Sequence, residues 1–151
     1  MTTIETTLNI IGQPPAVVAA ALFDPDNAVQ WQSNLEKFEV VWGKAGEAGA
    51  KVHLHYSQKG KSHVMEEIWE AVEPGRRYLS RITGEGVTVE LERILKTTPQ
   101  GTQMLVRWSG LGASWWLRLV LRLLRKAIAQ RAEFDLLNFK YLVEVHGAKF
   151  P

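Results

Sequence analysis

Three polar side chains interrupt the apolar pattern of the last helix that the sequence predicts, and together they could hold the polar group of a ligand. Arg131 and Asp135 are four residues apart and Asn138 follows three residues later, so all three lie on one helix face. A charged side chain is almost never fully buried unless it is paired. Two interpretations stay open: the three side chains line a cavity, or they form a structural pair with each other and with a strand residue such as Glu67 or Arg93.

A carboxylate and an imidazole, Glu67 and His63, share one face of a predicted strand and are the polar members of that face. A carboxyl group held in an apolar cavity can act as a general acid or base. The alternatives are that both side chains lie at a solvated mouth, or that Glu67 pairs with a cation.

The histidines of two neighbouring predicted strands suggest a metal site, but their spacing disfavours it. His53 and His55 share a face with Glu66, whereas His63 points to the opposite face in the predicted register. The outward set lacks a third imidazole. We expect no metal and no cofactor.

The last predicted helix begins with a strongly basic segment. Residues 113–131 carry five basic side chains and no acid, although the whole chain has a formal net charge of only +2. Tryptophan beside arginine on an exposed helix face is typical of membrane-surface helices. The alternatives are a solvated face or a homodimer contact through Trp115. Four charges on one helix without a stacking platform are weak support for nucleic acid, and we expect none. The basic face consists of Arg118, Arg122, Arg125 and Lys126, beside Trp115 and Leu119.

Several classes of protein are excluded by what the 151 residues lack. The chain has no cysteine, which excludes a disulfide framework, a cysteine-based zinc site and a thiolate nucleophile. It has no glycine-rich phosphate loop, nucleophile elbow or His-Glu-x-x-His motif. No apolar run approaches about 20 residues, and the N-terminus lacks the pattern of a signal peptide. We expect a cytoplasmic protein.

The elements that position these residues follow from hydrophobic periodicity and turn signals. Thr2–Ile11 alternates as a strand, and Pro14-Pro15 and Asp24-Pro25 each begin a short helix. Apolar runs between Leu35 and Ala113 are separated by glycine and proline turns and predict an antiparallel meander. Ser114–His146 contains neither proline nor glycine and predicts one long helix, or two in line.

The faces of the meander can be followed through its turns, because side chains alternate with a period of two. Two-residue turns place nearly every large apolar side chain on one face of the sheet. We expect the long helix to cover that face, as the one element of adequate size. The turns assumed are Lys59-Gly60, Pro74-Gly75, Gly84-Glu85 and Pro99-Gln100.

Five segments and this order of elements carry a family resemblance. The chain resembles the polyketide cyclase/dehydrase and lipid-transport superfamily, also called START-like, SRPBCC or the birch-pollen-allergen fold. The resemblance covers almost the whole chain and implies one α+β helix-grip domain over residues 1–151. In that fold a curved antiparallel sheet of about seven strands wraps around a long C-terminal helix, with two short helices after the first strand. The segments are Pro15–Asp24, Trp31, Gly49–Val52, Glu70–Gly75 and Gly101–Trp108.

The resemblance also implies an apolar cavity between the sheet and the long helix. We expect it to bind a hydrophobic small molecule such as a lipid, polyketide or quinone, as a carrier or sensor. Alternatives are a cyclase/dehydrase-type enzyme using Glu67, Arg131 or Asp135, and a membrane-associated lipid or quinone chaperone. The family has no shared catalytic motif, so no catalytic residue is assigned. The expected lining is Tyr56, Met65, Glu67, Trp69, Tyr78, Val89, Val106, Trp108, Val120, Leu124, Arg131, Asp135 and Asn138.

Overall fold

A computed structural model describes residues 1–147, so the last residues of the predicted 1–151 domain lie outside the described part. One antiparallel sheet of seven strands has the order β1-β7-β6-β5-β4-β3-β2. The predicted α+β architecture and its order of elements are confirmed. The elements are β1 Thr2–Ile11, α1 Pro15–Phe23, α2 Pro25–Trp31, β2 Leu35–Trp42, β3 Lys51–Gln58, β4 Lys61–Glu73, β5 Arg77–Gly84, β6 Val87–Thr98, β7 Gly101–Gly112, α3 Trp115–Leu123 and α4 Arg125–His146.

The turns at both ends of the meander have the predicted register. Leu54 pairs with Met65 across the β3–β4 hairpin, and Leu95 pairs with Met104 across the β6–β7 hairpin. Gly60 has a φ of 77°, a left-handed conformation that glycine adopts at no steric cost in a two-residue hairpin turn.

The β4–β5 turn is one residue longer than predicted. Tyr78 pairs with Val72, and not with Ala71 as a two-residue turn requires. A β-bulge between Trp69 and Ala71 then restores the parity, so that Trp69 lies opposite Ser80. The predicted face therefore holds beyond the bulge, although the predicted turn is wrong.

The β5–β6 turn is shifted along the chain. Gly84 pairs with Val87, so the turn residues are Glu85 and Gly86 instead of Gly84 and Glu85. Both have a positive φ, 52° and 74°, which is the conformation that favoured two-residue hairpin turns require. The shift moves the pairing by an even number of residues, so inward and outward faces are unchanged.

Side-chain caps begin two of the helices. The Asp24 side chain accepts hydrogen bonds from the backbone N–H groups of Asp26 and Asn27, at 2.9 and 3.0 Å. The Ser114 hydroxyl accepts one from the N–H of Leu117 at 3.3 Å. Each side chain satisfies donors that have no partner inside the helix, and both predicted caps are confirmed.

The two short helices share the covering of the sheet with α4. Val18, Leu22 and Trp31 of α1 and α2 are buried in the core. The Phe23 ring lies 5.6 Å from the Trp69 ring and 4.7 Å from the Tyr78 ring, measured between centroids. The expectation that the long helix alone covers the apolar face is therefore wrong.

The C-terminal segment is two helices, because the helical geometry is interrupted at Leu124 (φ −91°, ψ 4°). The interruption changes which residues face the sheet. Helix α4 buries Leu136, Phe139 and Val143. Helix α3 buries none of its residues. A helical wheel through one continuous helix predicts an inward apolar stripe, and seven of its residues are exposed in the structure: Trp116, Leu123, Leu124, Ala127, Phe134, Tyr141 and Val145.

Charged side chains on the outer face of the sheet form ion pairs. His53 lies 3.1 Å from Glu66 and His55 lies 2.9 Å from Glu39, which accounts for the outward histidines. In the part of the chain that the structure describes, no group of three His, Asp or Glu side chains is placed to hold a metal ion. Within residues 1–147, no helix is long and apolar enough to cross a membrane.

Candidate functional site

A cavity of about 250 Å³ lies between the inner face of the sheet and the first turns of α4. Six of the seven strands, all except the edge strand β2, contribute residues to its walls, and so does the end of α2. Apolar side chains form most of them, which is usual for pockets that bind small molecules. The lining residues are Ile4, Trp31, Gln32, Leu54, Tyr56, Glu67, Ile82, Leu91, Arg93, Val106, Trp108, Ile128, Arg131, Ala132, Asp135 and Leu136.

Three neighbouring strands bring a buried polar cluster to the floor of this cavity. Glu67 of β4 and Arg93 of β6 have side chains that are only 3% and 10% exposed, and their charged atoms Oε2 and Nη1 lie 3.6 Å apart. The Ser80 hydroxyl of β5 donates a 2.6 Å hydrogen bond to the same Glu67 oxygen. The Arg93 guanidinium also lies 5.6 Å from the centre of the Phe23 ring. Glu67, Ser80 and Arg93 therefore lie side by side on three adjacent hydrogen-bonded strands.

Tyr56 carries the polar atom of the cavity wall beside this floor. Burial raises the pKa of Tyr56 above its ordinary value of 10.0, and the Glu67 and Asp135 carboxylates raise it further against the opposing effect of Arg93. Its hydroxyl therefore stays protonated at neutral pH. Its ring stacks on the His63 ring at 5.4 Å between centroids. Tyr56 lines the cavity, so its hydroxyl can act as a donor to a ligand.

Arg131 and Asp135 lie at the rim of the cavity and do not form the ion pair that one interpretation of the sequence predicts. One oxygen of Asp135 accepts a 3.2 Å hydrogen bond from the backbone N–H of Ser33, and the other accepts from the Ser33 hydroxyl. Arg131 is exposed and forms no ion pair within the described residues. The predicted Arg131–Asp135 pair is wrong, because the loop after α2 offers Asp135 two donors while solvent satisfies Arg131.

The structure divides the predicted lining into two groups. Side chains of Tyr56, Glu67, Val106, Trp108, Arg131 and Asp135 line the cavity. The remaining predicted residues do not line it: Met65, Trp69, Tyr78, Val89, Val120, Leu124 and Asn138.

Two physical causes account for four of the residues that lie elsewhere. Trp69 and Tyr78 pack around Phe23, because α1 covers that part of the sheet. Leu124 and Asn138 are exposed, because the interruption between α3 and α4 turns them away from the sheet. A helical wheel drawn through one continuous helix cannot show either effect.

Several lining residues were missed, and for some of them the signal was present. Ile82, Leu91 and Arg93 lie on the inward face in the predicted register, and the structure places all three in the wall. Trp31, one of the aromatic side chains expected around the cavity, and Ile128, on the apolar stripe of the predicted long helix, also lie in the wall.

A larger cleft of about 840 Å³ lies between α1 and the loop that joins β2 to β3. The Phe23 ring belongs to its wall. Its charged lining residues are Asp24, Lys44 and Glu47, and Asp24 is already occupied as the cap of α2. Gly46 of the loop sits so close to Phe23 that an added Cβ would lie 2.5 Å from the ring. The buried pair of Glu67 and Arg93 lines the smaller cavity, and we place the candidate site there.

Solved structures share this fold across nearly their whole length. A protein from Chromobacterium violaceum is 18% identical, with a TM-score of 0.70, and the match covers 95% of this chain and 99% of that one. Ara h 8.0201 is 15% identical with a TM-score of 0.71, covering 93% and 96%. A protein from Rhodobacter sphaeroides is 14% identical with a TM-score of 0.74, covering 96% and 93%. Identities this low establish the fold alone.

The family itself is established by sequence. No curated protein matches this sequence. The family model described as "Polyketide cyclase / dehydrase and lipid transport" matches residues 1–144, almost the whole chain. With its seven-stranded sheet and long C-terminal helix, the chain therefore belongs to the polyketide cyclase/dehydrase and lipid-transport family and has the helix-grip fold.

Proposed function

We propose that this protein binds a hydrophobic small molecule in the cavity between the sheet and α4, as a carrier or sensor. The observation that carries the proposal is an apolar cavity with a buried polar cluster at its floor. The family fold supports a role in hydrophobic ligand binding in general.

The volume and the polar atoms limit the chemistry of the ligand. A volume of about 250 Å³ lies just below the roughly 300–1,000 Å³ of most pockets for drug-sized ligands. We therefore propose a compact apolar molecule, or one apolar end of a longer molecule that leaves past Arg131. The Tyr56 hydroxyl and the Arg93 guanidinium are donors, so the buried end of the ligand carries an acceptor such as a carbonyl or phenolic oxygen.

A cyclase/dehydrase-type enzyme is the second candidate, and one observation favours it. The Glu67 carboxylate and the neutral Tyr56 hydroxyl line the same cavity, so a base and a donor can face one substrate. Two contacts argue against it, because Glu67 already accepts from Ser80 and faces Arg93. The Glu67→Gln variant separates the two candidates. A binding protein has no turnover to lose, and the change can alter only its affinity. An enzyme loses turnover while its affinity for the substrate is retained.

Native mass spectrometry of the freshly purified protein identifies a ligand that copurifies with it. Binding is then measured with the fluorescent probe 8-anilinonaphthalene-1-sulfonate. The Val106→Phe variant fills the cavity and should abolish probe binding. Its matched control is Val72→Phe, a half-buried valine in the wall of the larger cleft, which should leave binding unchanged. The opposite result would place the site in the larger cleft.

Removal of one atom tests the polar floor without changing the packing. We expect Tyr56→Phe to weaken binding of a carbonyl-bearing ligand by roughly five- to tenfold, the loss of one hydrogen bond of about 1 kcal/mol. Unchanged affinity for both the native ligand and the probe would show that the hydroxyl does not face the ligand.

A further inference from the structure

Helix α3 exposes large apolar side chains that nothing in the described chain covers. Trp115, Trp116 and Leu123 are 74%, 59% and 73% exposed. Leu119 lies on the same outer side, and the helix buries none of its residues. Contiguous exposed apolar surface of this kind marks an interaction site. We call this surface the α3 outer face, made of Trp115, Trp116, Leu119 and Leu123 with Arg118, Arg122 and the exposed Lys126 that follows in α4.

The charges of this face have one sign. Residues 113–131 hold five basic side chains and no acid. Arg118 donates to the backbone carbonyl of Gly112 at 3.1 Å, and Arg125 donates to that of Thr3 at 3.1 and 3.3 Å. These three hydrogen bonds tie α3 and the start of α4 to the sheet. Within residues 1–147, Arg122 and Lys126 form no ion pair or hydrogen bond, so their charges are available to an anionic partner.

We propose that the α3 outer face docks on the surface of an anionic phospholipid membrane. Tryptophan and leucine enter the region of the lipid headgroups while Arg122 and Lys126 contact the phosphates, as basic side chains of amphipathic interfacial helices do. A second copy of the chain fits this face poorly, because a symmetric contact brings together two segments with five positive charges and no acid each. An anionic bilayer offers an apolar region for the tryptophan and leucine side chains and negatively charged phosphates for the basic side chains.

The position of the face next to the cavity gives the docking a consequence. Ile128 and Arg131 line the cavity and belong to the first turns of α4, directly after the junction at Leu124. A protein docked through α3 therefore brings the rim of its cavity to the membrane. Docking itself does not require an occupied cavity, and it can be tested apart from the proposed ligand binding.

Cosedimentation with vesicles tests the charge dependence. We expect the protein to bind vesicles of equal parts phosphatidylcholine and phosphatidylglycerol at low salt, and to be released at high salt, where the Debye length falls from about 10 Å to about 3 Å. Vesicles of phosphatidylcholine alone should bind far less protein. Equal binding to both kinds of vesicle would overturn the proposed role of the basic side chains.

Two matched double variants locate the surface. Each basic residue near an anionic surface contributes about a factor of five, so Arg122→Gln with Lys126→Gln should lower the partition coefficient about 30-fold. The control, Arg76→Gln with Lys96→Gln, removes the same charge from exposed positions at the end of the β5–β6 pair far from α3. It should lower binding much less. Equal loss in both variants would show a non-specific charge effect and overturn the assignment to α3.

The tryptophans report on insertion directly. Brominated phosphatidylcholine in the mixed vesicles should quench the fluorescence of the protein, and the double variant Trp115→Ser with Trp116→Ser should lose most of that quenching without a change in melting temperature, because both side chains are exposed. A concentration-dependent dimer in light scattering that shields Trp115 from acrylamide would instead identify a second copy as the occupant. Capture of an acidic protein with no vesicle binding would also overturn the proposal.

Discussion

Arg93→Met should destabilise the protein far more than the removal of an arginine from the outer face of the same sheet. The variant leaves the Glu67 carboxylate at 3% exposure with Ser80 as its remaining partner. Breaking a buried ion pair costs about 3–5 kcal/mol, because the surviving charge stays desolvated. We expect about 3 kcal/mol, since the 3.6 Å separation is an ion-pair distance and is too long for a hydrogen bond.

The matched control is Arg81→Met on the neighbouring strand. Arg81 contacts Glu70 at 3.2 Å and Glu90 at 3.7 Å, but its side chain is 47% exposed. Solvent screens such a pair, and the change should cost about 0–1 kcal/mol. Both variants remove a guanidinium that lies within ion-pair distance of at least one carboxylate, so the difference between them isolates the effect of burial.

Urea unfolding followed by circular dichroism measures both changes. The double variant Glu67→Met with Arg93→Met should be less destabilised than the sum of the two single variants, because apolar groups of similar volume can replace a buried pair. A loss below about 1 kcal/mol for Arg93→Met, or strictly additive single variants, would refute the reasoning that this pair is desolvated.

Three further predictions concern α4, the pH dependence of stability and the loop before β3. Asp135→Asn should cost about 1.5–3 kcal/mol in urea unfolding, because a carboxylate that accepts two hydrogen bonds is lost, whereas Glu133→Gln on the outer side should stay within about 0.5 kcal/mol; equal small effects would show that the Asp135 contacts do not matter. Burial raises the pKa of Glu144, but hydrogen bonds from Lys140 and a backbone N–H outweigh it and lower the pKa below its ordinary 4.5. Its contribution is therefore present above that value and declines as the pH falls through the folded-state pKa, so the stability of Glu144→Gln should approach that of the unmodified protein at low pH; a constant gap from pH 7 downwards would contradict this. Gly46→Ala should cost on the order of 1–3 kcal/mol, more than Gly12→Ala, because both have a positive φ but nothing lies within 4 Å of a Cβ at Gly12; equal melting temperatures would contradict the clash.

The strands and their faces could be predicted because the information for them is local. Alternation sets the faces, and glycine or proline marks each turn of the meander. The exact turn residues could not be predicted in the same way. The segment 84–86 contains two glycines, and the backbone conformation decides that Glu85 and Gly86 form the turn. The predicted inward and outward faces are nevertheless right. The shift at the β5–β6 turn moves the pairing by an even number of residues, and the bulge between Trp69 and Ala71 compensates for the longer β4–β5 turn.

The helix faces and the rim contacts depend on distant parts of the chain. The sequence around Leu124 contains strong helix formers and no glycine or proline, so nothing local predicts an interruption there. The Asp135 carboxylate finds its partner Ser33 at a separation of 102 residues. A helical wheel shows only neighbours one turn away, and it therefore selected Arg131.

The bulge in β4 has a consequence for how this family can vary. The β4–β5 turn carries one residue more than the simplest hairpin, and the bulge beside Ala71 absorbs it before the cavity wall begins at Glu67. A deletion in the turn alone would turn Glu67 outward or Ser80 away from it. Lineages of this fold should therefore gain or lose a turn residue and a bulge residue together, as one coupled insertion or deletion. The length of this hairpin can change in this way while the side chain of Glu67 stays on the inward face of the sheet.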